Sequence, residues 1–348
     1  MFRGIYKGSL PPIDPSSIHH VENLADQLQD KDYYSVEWNK YFDQSRDITL
    51  PGTENTFRIY ESNVDVVNDG YLFVFLHGGG YTSLSWSLVV DRIKKQNFDK
   101  NVRMMCYDCR GHGETKTSDD SNLSIETMVD DCATLINYYQ DQIIGDCNTN
   151  KGDGKEDDGD ETKERLKVII VGHSMGGAVV IKTSYTNKIN NLFGLIVIDV
   201  VEGTALLALS SMKSILAKRP KSFDSIKDAI KWSISSNIVK NIESARVSVP
   251  SQIKLNPEDG KYHWIAHLEK TDKYWNDWFL GLSKEFLSSR ALKLLILAGT
   301  DRLDRELTIA QMQGKFQLIL LPLCGHVIQE DDPKSTSDTL IEFIKRLK

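Results

Sequence analysis

A doubly wound, mostly parallel α/β sheet is predicted for this chain of 348 residues. Three observations carry that prediction. Near-continuous apolar runs recur along the chain, as strands buried on both faces require. Segments with apolar residues three and four apart separate those runs, and alternating strand and helix implies right-handed crossovers. Most of the runs end at a short segment of Gly, Asp, Ser or His, where a parallel sheet carries its functional side chains.

In chain order, residues 1–45 are polar and punctuated by Pro11, Pro12 and Pro15, and form a tail with an anchoring segment, Tyr34–Phe42, held by its two end aromatics. Thr56–Glu61 alternates and is predicted as an antiparallel edge strand. Tyr71–Leu76 ends at His77-Gly-Gly-Gly80, Val102–Tyr107 at Asp108, Val168–Val171 at Gly172-His-Ser174, and Leu192–Val201 holds Asp199. Leu292–Ala298 ends at Gly299-Thr-Asp301, and Phe316–Leu321 precedes Cys324-Gly-His326. Helices are expected over Leu84–Gln96, Ser124–Tyr139, Gly176–Thr186 and Lys334–Leu347, the second opening on a Ser cap with acids in its first turn.

Two stretches interrupt the rhythm. Residues 148–164 are Gly-rich and acidic with no apolar residue, so they cannot bury a face and are expected as a surface loop. Residues 203–289 are expected as a helical lid insertion, with helices over Ala205–Leu216, Ser222–Ser235 and Tyr274–Phe286, leaving 46–202 and 290–348 as the core. This insertion holds four of the six tryptophans. Trp232, Trp275, Trp278 and Phe279 either dock a partner or pack the lid onto the sheet, and packing is the usual fate of a single large aromatic.

A formal charge of −7 with no basic block argues against a nucleic-acid partner. No apolar run is long enough to cross a membrane, and no signal peptide or lipidation motif is expected. Five cysteines in a chain of this length make no disulfide framework, and Cys106 and Cys109 lack the second pair a metal site needs. A reduced, intracellular protein, cytoplasmic or nuclear, is the expectation, with no metal and no cofactor.

Gly172-His-Ser-Met-Gly176 matches G-x-S-x-G between a predicted strand and a predicted helix, the context of a nucleophile elbow. Ser174 is therefore the candidate nucleophile of an α/β-hydrolase fold. The backbone N–H groups of Met175 and of Gly79, with Gly80 as the alternative, would hold the oxyanion. His326, after the last strand, is the candidate base. His77, His112 and His173 are expected to orient loops, and His263 and His267, although four apart, lack the following Glu of a metal motif. Two acids compete to orient the base: Asp199 and Asp301. Chain order favours Asp301.

The chain also resembles the protein phosphatase methylesterases. The resemblance covers nearly the whole chain and is carried by Trp38-Asn-Lys-Tyr-Phe42, Leu76-His-Gly-Gly-Gly80, Arg110-Gly-His-Gly-Glu-Thr115 and Val171-Gly-His-Ser-Met-Gly-Gly177. More specific are Ile198-Asp-Val-Val-Glu-Gly-Thr-Ala205 and Gln311-Met-Gln-Gly-Lys-Phe316. It implies a serine carboxylesterase that removes the methyl ester from the C-terminal leucine of a type 2A protein phosphatase catalytic subunit. It further implies Ser174, Asp199 and His326 as the catalytic set, reversing the chain-order preference for Asp301. A general small-ester or lipid hydrolase, and a phosphatase-binding regulator with secondary hydrolase activity, are the alternatives. The 148–164 insert lies outside the family pattern.

Overall fold

In the computed structural model, which describes residues 29–96, 100–149, 165–299 and 303–346, eleven strands form two sheets. The strands are β1 (Gln44–Thr49), β2 (Thr56–Ser62), β3 (Tyr71–Leu76), β4 (Val102–Tyr107), β5 (Lys167–His173), β6 (Leu192–Ile198), β7 (Ser222–Phe223), β8 (Ile253–Asn256), β9 (Lys261–Trp264), β10 (Leu292–Leu297) and β11 (Gln317–Leu320). The large sheet runs β1-β2-β4-β3-β5-β6-β10-β11. From β4 to β11 every pairing is parallel, and β2 is antiparallel to both β1 and β4.

Alternation within the central strands explains the unbroken apolar runs. Leu72, Val74 and Leu76 of β3 enter one core cluster, whereas Tyr71, Phe73 and Phe75 enter the other. Val168 and Ile170 of β5 likewise oppose Ile169 and Val171. Each face therefore needs a helical cover. The helices are α1 (Ser87–Lys95), α2 (Ile125–Thr149), α3 (Met175–Thr186), α4 (Glu202–Ala217), α5 (Ile226–Ser235), α6 (Ile242–Ser248), α7 (Asp272–Phe279), α8 (Leu282–Ser288), α9 (Arg305–Met312), α10 (Ile328–Asp331) and α11 (Pro333–Lys345). Because β3, β4, β5, β6, β10 and β11 are parallel, the segments that follow them gather on one edge of the sheet.

The structure corrects several expectations. Thr56–Ser62 is antiparallel but not at the edge, because β1 pairs outside it. Of β1, only Ile48 is buried, so its sequence carries almost no strand pattern. At the N-terminal anchor Tyr34 is 60% exposed, and Tyr33, Tyr41 and Phe42 are the buried aromatics. The second sheet, β7-β9-β8, lies within the segment expected to be helical. Ser222–Phe223 joins that sheet, and α5 begins only after Ser225, whose hydroxyl accepts the Asp228 N–H at 3.1 Å. The helix expected over Tyr274–Phe286 is two helices, broken at Gly281 with φ +84°. Residues 150–164 of the acidic segment and residues 1–28 of the tail lie outside the described residues.

Trp275, Trp278 and Phe279 are all under 7% exposed and sit in the core cluster shared with α3 and the sheet. Trp278 Nε1–H donates to the Leu123 carbonyl at 2.8 Å. Trp232 packs with Phe223 and Trp264 in a third apolar cluster that also holds Tyr33 and Val327. Trp275, Trp278 and Phe279 thus pack this segment onto the body of the protein, while Trp232 is half-buried. Among the described residues the most exposed aliphatic side chains are Leu323, Met312, Leu207 and Ile215.

Candidate active site

Ser174 follows β5 directly and stands at the N-terminus of α3 with φ +51° and ψ −115°, a conformation in which an L-residue is strained. Two features hold it there. Its N–H donates to the Ile198 carbonyl at 3.1 Å, and its carbonyl accepts the Ala178 N–H at 3.0 Å. The glycines on either side are obligatory by sterics. A Cβ on Gly172 would lie 2.3 Å from the Gly176 carbonyl oxygen, and one on Gly176 would lie 2.5 Å from the His77 carbonyl oxygen. Both obstacles are backbone and have nowhere to go.

On this bend Ser174 Oγ lies 3.0 Å from His326 Nε2, within proton-transfer range. His326 Nδ1 lies 2.8 Å from Asp199 Oδ2. The Asp199 side chain is fully buried, and its other oxygen accepts the Ala298 N–H at 3.1 Å. Asp199 itself has φ +53° at the end of β6, which turns its carboxylate toward the imidazole. The structure thus joins Ser174, His326 and Asp199. Asp301, the acid that chain order favours, lies outside the described residues.

The glycine loop after β3 abuts the elbow. A Cβ on Gly78 would lie 3.3 Å from Ser174 Cβ, and one on Gly79 would lie 3.6 Å from Met175 Sδ. The Gly78 carbonyl accepts the Tyr81 N–H at 3.1 Å, and Gly80 closes this turn with φ +80°. Among the described residues neither the Gly79 nor the Met175 N–H has a protein acceptor. The Gly80 N–H donates to His112 Nε2 at 2.9 Å, so its donor is already engaged. Of the two glycine donors expected from sequence, Gly79 alone is free for an oxyanion.

Three buried histidines brace these loops. His77 donates through Nδ1–H to the Gly78 carbonyl and accepts the Cys109 N–H at Nε2. His112 accepts from Gly80 and donates to the Arg110 carbonyl at 2.9 Å. His173 donates through Nε2–H to the His326 carbonyl at 2.8 Å, fixing the backbone of the candidate base. Burial pulls their pKa values down to about 4, 3 and 3 respectively, so all three are neutral at physiological pH. Their role as braces was legible in their positions within loop motifs; that His112 occupies the Gly80 donor was not, because a contact across 32 residues leaves no local pattern.

The remaining chemical candidates resolve differently. His263 and His267 are surface side chains paired with Asp259 and Glu269 at 2.7 and 3.2 Å. Cys106 and Cys109 are buried in opposite core clusters, and burial pushes both thiols well up. Among the described residues no three metal-ligating side chains gather, and no helix is long and apolar enough to cross a membrane.

Comparison with known proteins agrees with this fold. The family model described as "Alpha/beta hydrolase family" matches residues 73–339. The solved structure of E-2-(acetamidomethylene)succinate hydrolase superposes with a TM-score of 0.64 at 17% identity, covering 87% of this chain and 99% of its own, a likeness of fold alone. The fold, with a serine, a histidine and an aspartate in hydrogen-bonded sequence on one sheet edge, defines an α/β hydrolase. A relative from Dictyostelium discoideum, described as a probable protein phosphatase methylesterase 1, is 81% identical over 333 residues, 96% of this chain and 98% of its own. The mouse (Mus musculus) protein phosphatase methylesterase 1 is 36% identical over 363 residues, 91% and 86% of the two chains. The chain belongs to the protein phosphatase methylesterase family, and it is a carboxylic ester hydrolase.

Proposed function

We propose that this esterase removes the methyl ester from the C-terminal leucine of a type 2A protein phosphatase catalytic subunit, with Ser174 as nucleophile, His326 as general base and acid, and Asp199 as the orienting acid. The observation that carries the reading is the continuous path from Ser174 Oγ through His326 to buried Asp199, at 3.0 and 2.8 Å, in a methylesterase-family chain. Ser174 Oγ adds to the ester carbonyl as its proton passes to His326 Nε2. Asp199 stabilises the imidazolium and holds Nδ1–H in the productive tautomer. The Gly79 and Met175 amides receive the oxyanion, helped by the positive end of α3. The tetrahedral adduct collapses, the C–O bond to the methoxy group breaks, and His326 gives its proton to the departing oxygen, which leaves as methanol. Water then enters, loses a proton to His326 and releases the leucine carboxylate, returning the proton to Ser174. These steps use protein groups and water, with no cofactor.

A methyl leaving group offers little to recognise, so selectivity has to come from the acyl side. We assign that task to the insertion 203–289, acting as a lid over the core of 46–202 and 290–348. Its Leu268 already lies against the glycine loop, since a Cβ on Gly80 would meet Leu268 Cδ1 at 2.8 Å. The test is methanol release from methylated phosphatase by the native protein and by Ser174→Ala. Stoichiometric release by the native protein and none by the variant supports the reading. Turnover of short esters with the phosphatase untouched would make this a general small-ester hydrolase.

A further inference from the structure

A cavity of about 560 Å³ lies away from Ser174. It opens within the insertion, walled by Leu216, Ala217, Pro220, Trp264, Ala266 and Trp275. Most of its charged lining is already paired. Lys213 meets Asp272 at 2.6 Å, His267 meets Glu269 at 3.2 Å, and His263 meets Asp259 at 2.7 Å. Two cations are left. Neither Arg219 nor Lys221 has a carboxylate within 4 Å among the described residues, and Glu269 acts on Arg219 only at longer range.

Arg219 is held ready for a ligand. Its guanidinium stacks on Trp264, with Cζ 3.7 Å from the ring centroid. Trp264 is itself fixed by a hydrogen bond from Nε1–H to the Pro220 carbonyl at 2.8 Å. Burial draws the arginine's pKa down, and Tyr81 and Glu269 offset this only in part. A stacked guanidinium with its donors unoccupied suits a planar, bidentate anion, and a carboxylate is the side chain that fits. The site also adjoins the chemistry: a Cβ on Gly80 would lie 3.6 Å from Arg219 Nη1, one residue beyond the Gly79 donor.

We propose that this cavity is a specificity subsite that takes a carboxylate side chain of the substrate polypeptide upstream of the esterified leucine, bound by Arg219 with Lys221 beside it and flanked by the Trp264 and Trp275 rings. The inference rests on the methylesterase reading, because only a polypeptide acyl group extends from the oxyanion loop into the insertion. Apolar walls around two cations further select an acidic residue set among aromatic or aliphatic neighbours.

The experiment uses the full chain and peptides ending in leucine amide, which resist turnover, with Asp, Asn or Lys substituted at successive upstream positions. At low salt the Asp peptide is expected to bind about tenfold or more tightly than the Lys peptide at one of those positions, with Asn between. Arg219→Gln should flatten the order, Arg219→Glu should invert it, and Lys221→Gln should weaken it in part. Raising salt to about 0.5 M should also flatten it. Equal binding of the three peptides by the native protein overturns the proposal without any variant. An unchanged order in Arg219→Gln overturns it as well. Matching methyl-ester peptides separate the two readings. The Asp preference in binding without methanol release keeps the subsite and removes the methylesterase. Methanol release at equal kcat/KM from all three keeps the methylesterase and removes the subsite.

Discussion

Two carboxyl groups decide the residue-scale chemistry, and burial gives them opposite roles. Asp199 is buried yet satisfied, by His326 Nδ1 on one oxygen and the Ala298 N–H on the other. Replacing it with Asn removes the charge and presents an amide to Nδ1, so His326 is left in the wrong tautomer. Asp199→Asn is expected to lower kcat by roughly a thousand- to ten-thousand-fold, and Asp301→Asn by far less, in steady-state ester hydrolysis. The reverse ranking would assign the acid to Asp301. Residue types alone could not make this choice, since both acids follow parallel strands that end on one sheet edge. The family resemblance carried by Ile198–Ala205 favours Asp199, and its carboxylate lies 2.8 Å from His326 Nδ1.

Glu330, four residues after His326, is the second carboxyl. It is fully buried, its Oε1 has no partner, and burial raises it to about 8. Below the ordinary glutamate value, 4.5, both folded and unfolded states hold the proton and the contribution to stability is complete. Between there and about 8 the unfolded chain ionises while the native carboxyl stays neutral, so stability falls as pH rises. Glu330→Gln removes that loss. Across about pH 5 to about pH 8 its unfolding free energy should rise relative to the parent by roughly 2–4 kcal/mol in urea titrations. A constant difference between the two proteins would contradict the assignment of a neutral acid.

At the scale of single elements, the turn from β5 into α3 is the feature on which the site depends. Gly172 and Gly176 are required because the atoms a Cβ would meet are main-chain oxygens of neighbouring elements. Gly176→Ala should destabilise the fold by roughly 2–4 kcal/mol, measured by denaturant titration. An unaffected midpoint would mean the bend is looser than described. This element was legible in sequence, because a strand, a G-x-S-x-G pentad and a helix occur in contact order. The central strands were legible for a related reason: burial on both faces leaves few polar positions to obscure the run, Arg103 and Lys293 being the exceptions in β4 and β10. Strands that bury few residues were not. β1 buries a single residue, Ile48, and in the β8–β9 hairpin only Ile253 is buried, with no alternation to mark either strand. The break at Gly281 hid inside an amphipathic pattern that continues on either side of it.

For the whole molecule, the insertion and the sheet share one core. Trp275, Trp278, Phe279, Leu282 and Phe286 lie in the same apolar cluster as Val179, Leu295 and Leu297. Trp278→Ala should therefore cost roughly 3–5 kcal/mol and lower a single cooperative thermal transition. A separate early transition, with esterase activity surviving it, would show that the insertion folds on its own. Chain order places the segment 203–289 between two strands of the large sheet, and its tryptophan content marks it as unusual. Whether those rings face inward or outward depends on contacts such as Trp278 with Leu123, 155 residues apart, which no local pattern encodes.

The central claim is that a covalent acyl group passes through Ser174. Rapid acid quench during turnover of a methyl-esterified substrate, followed by peptide mass spectrometry, reads that directly. The account predicts an adduct on Ser174 with the mass of the substrate less methanol, absent from Ser174→Ala. Full turnover by Ser174→Ala, or an adduct carried by another residue, would contradict it.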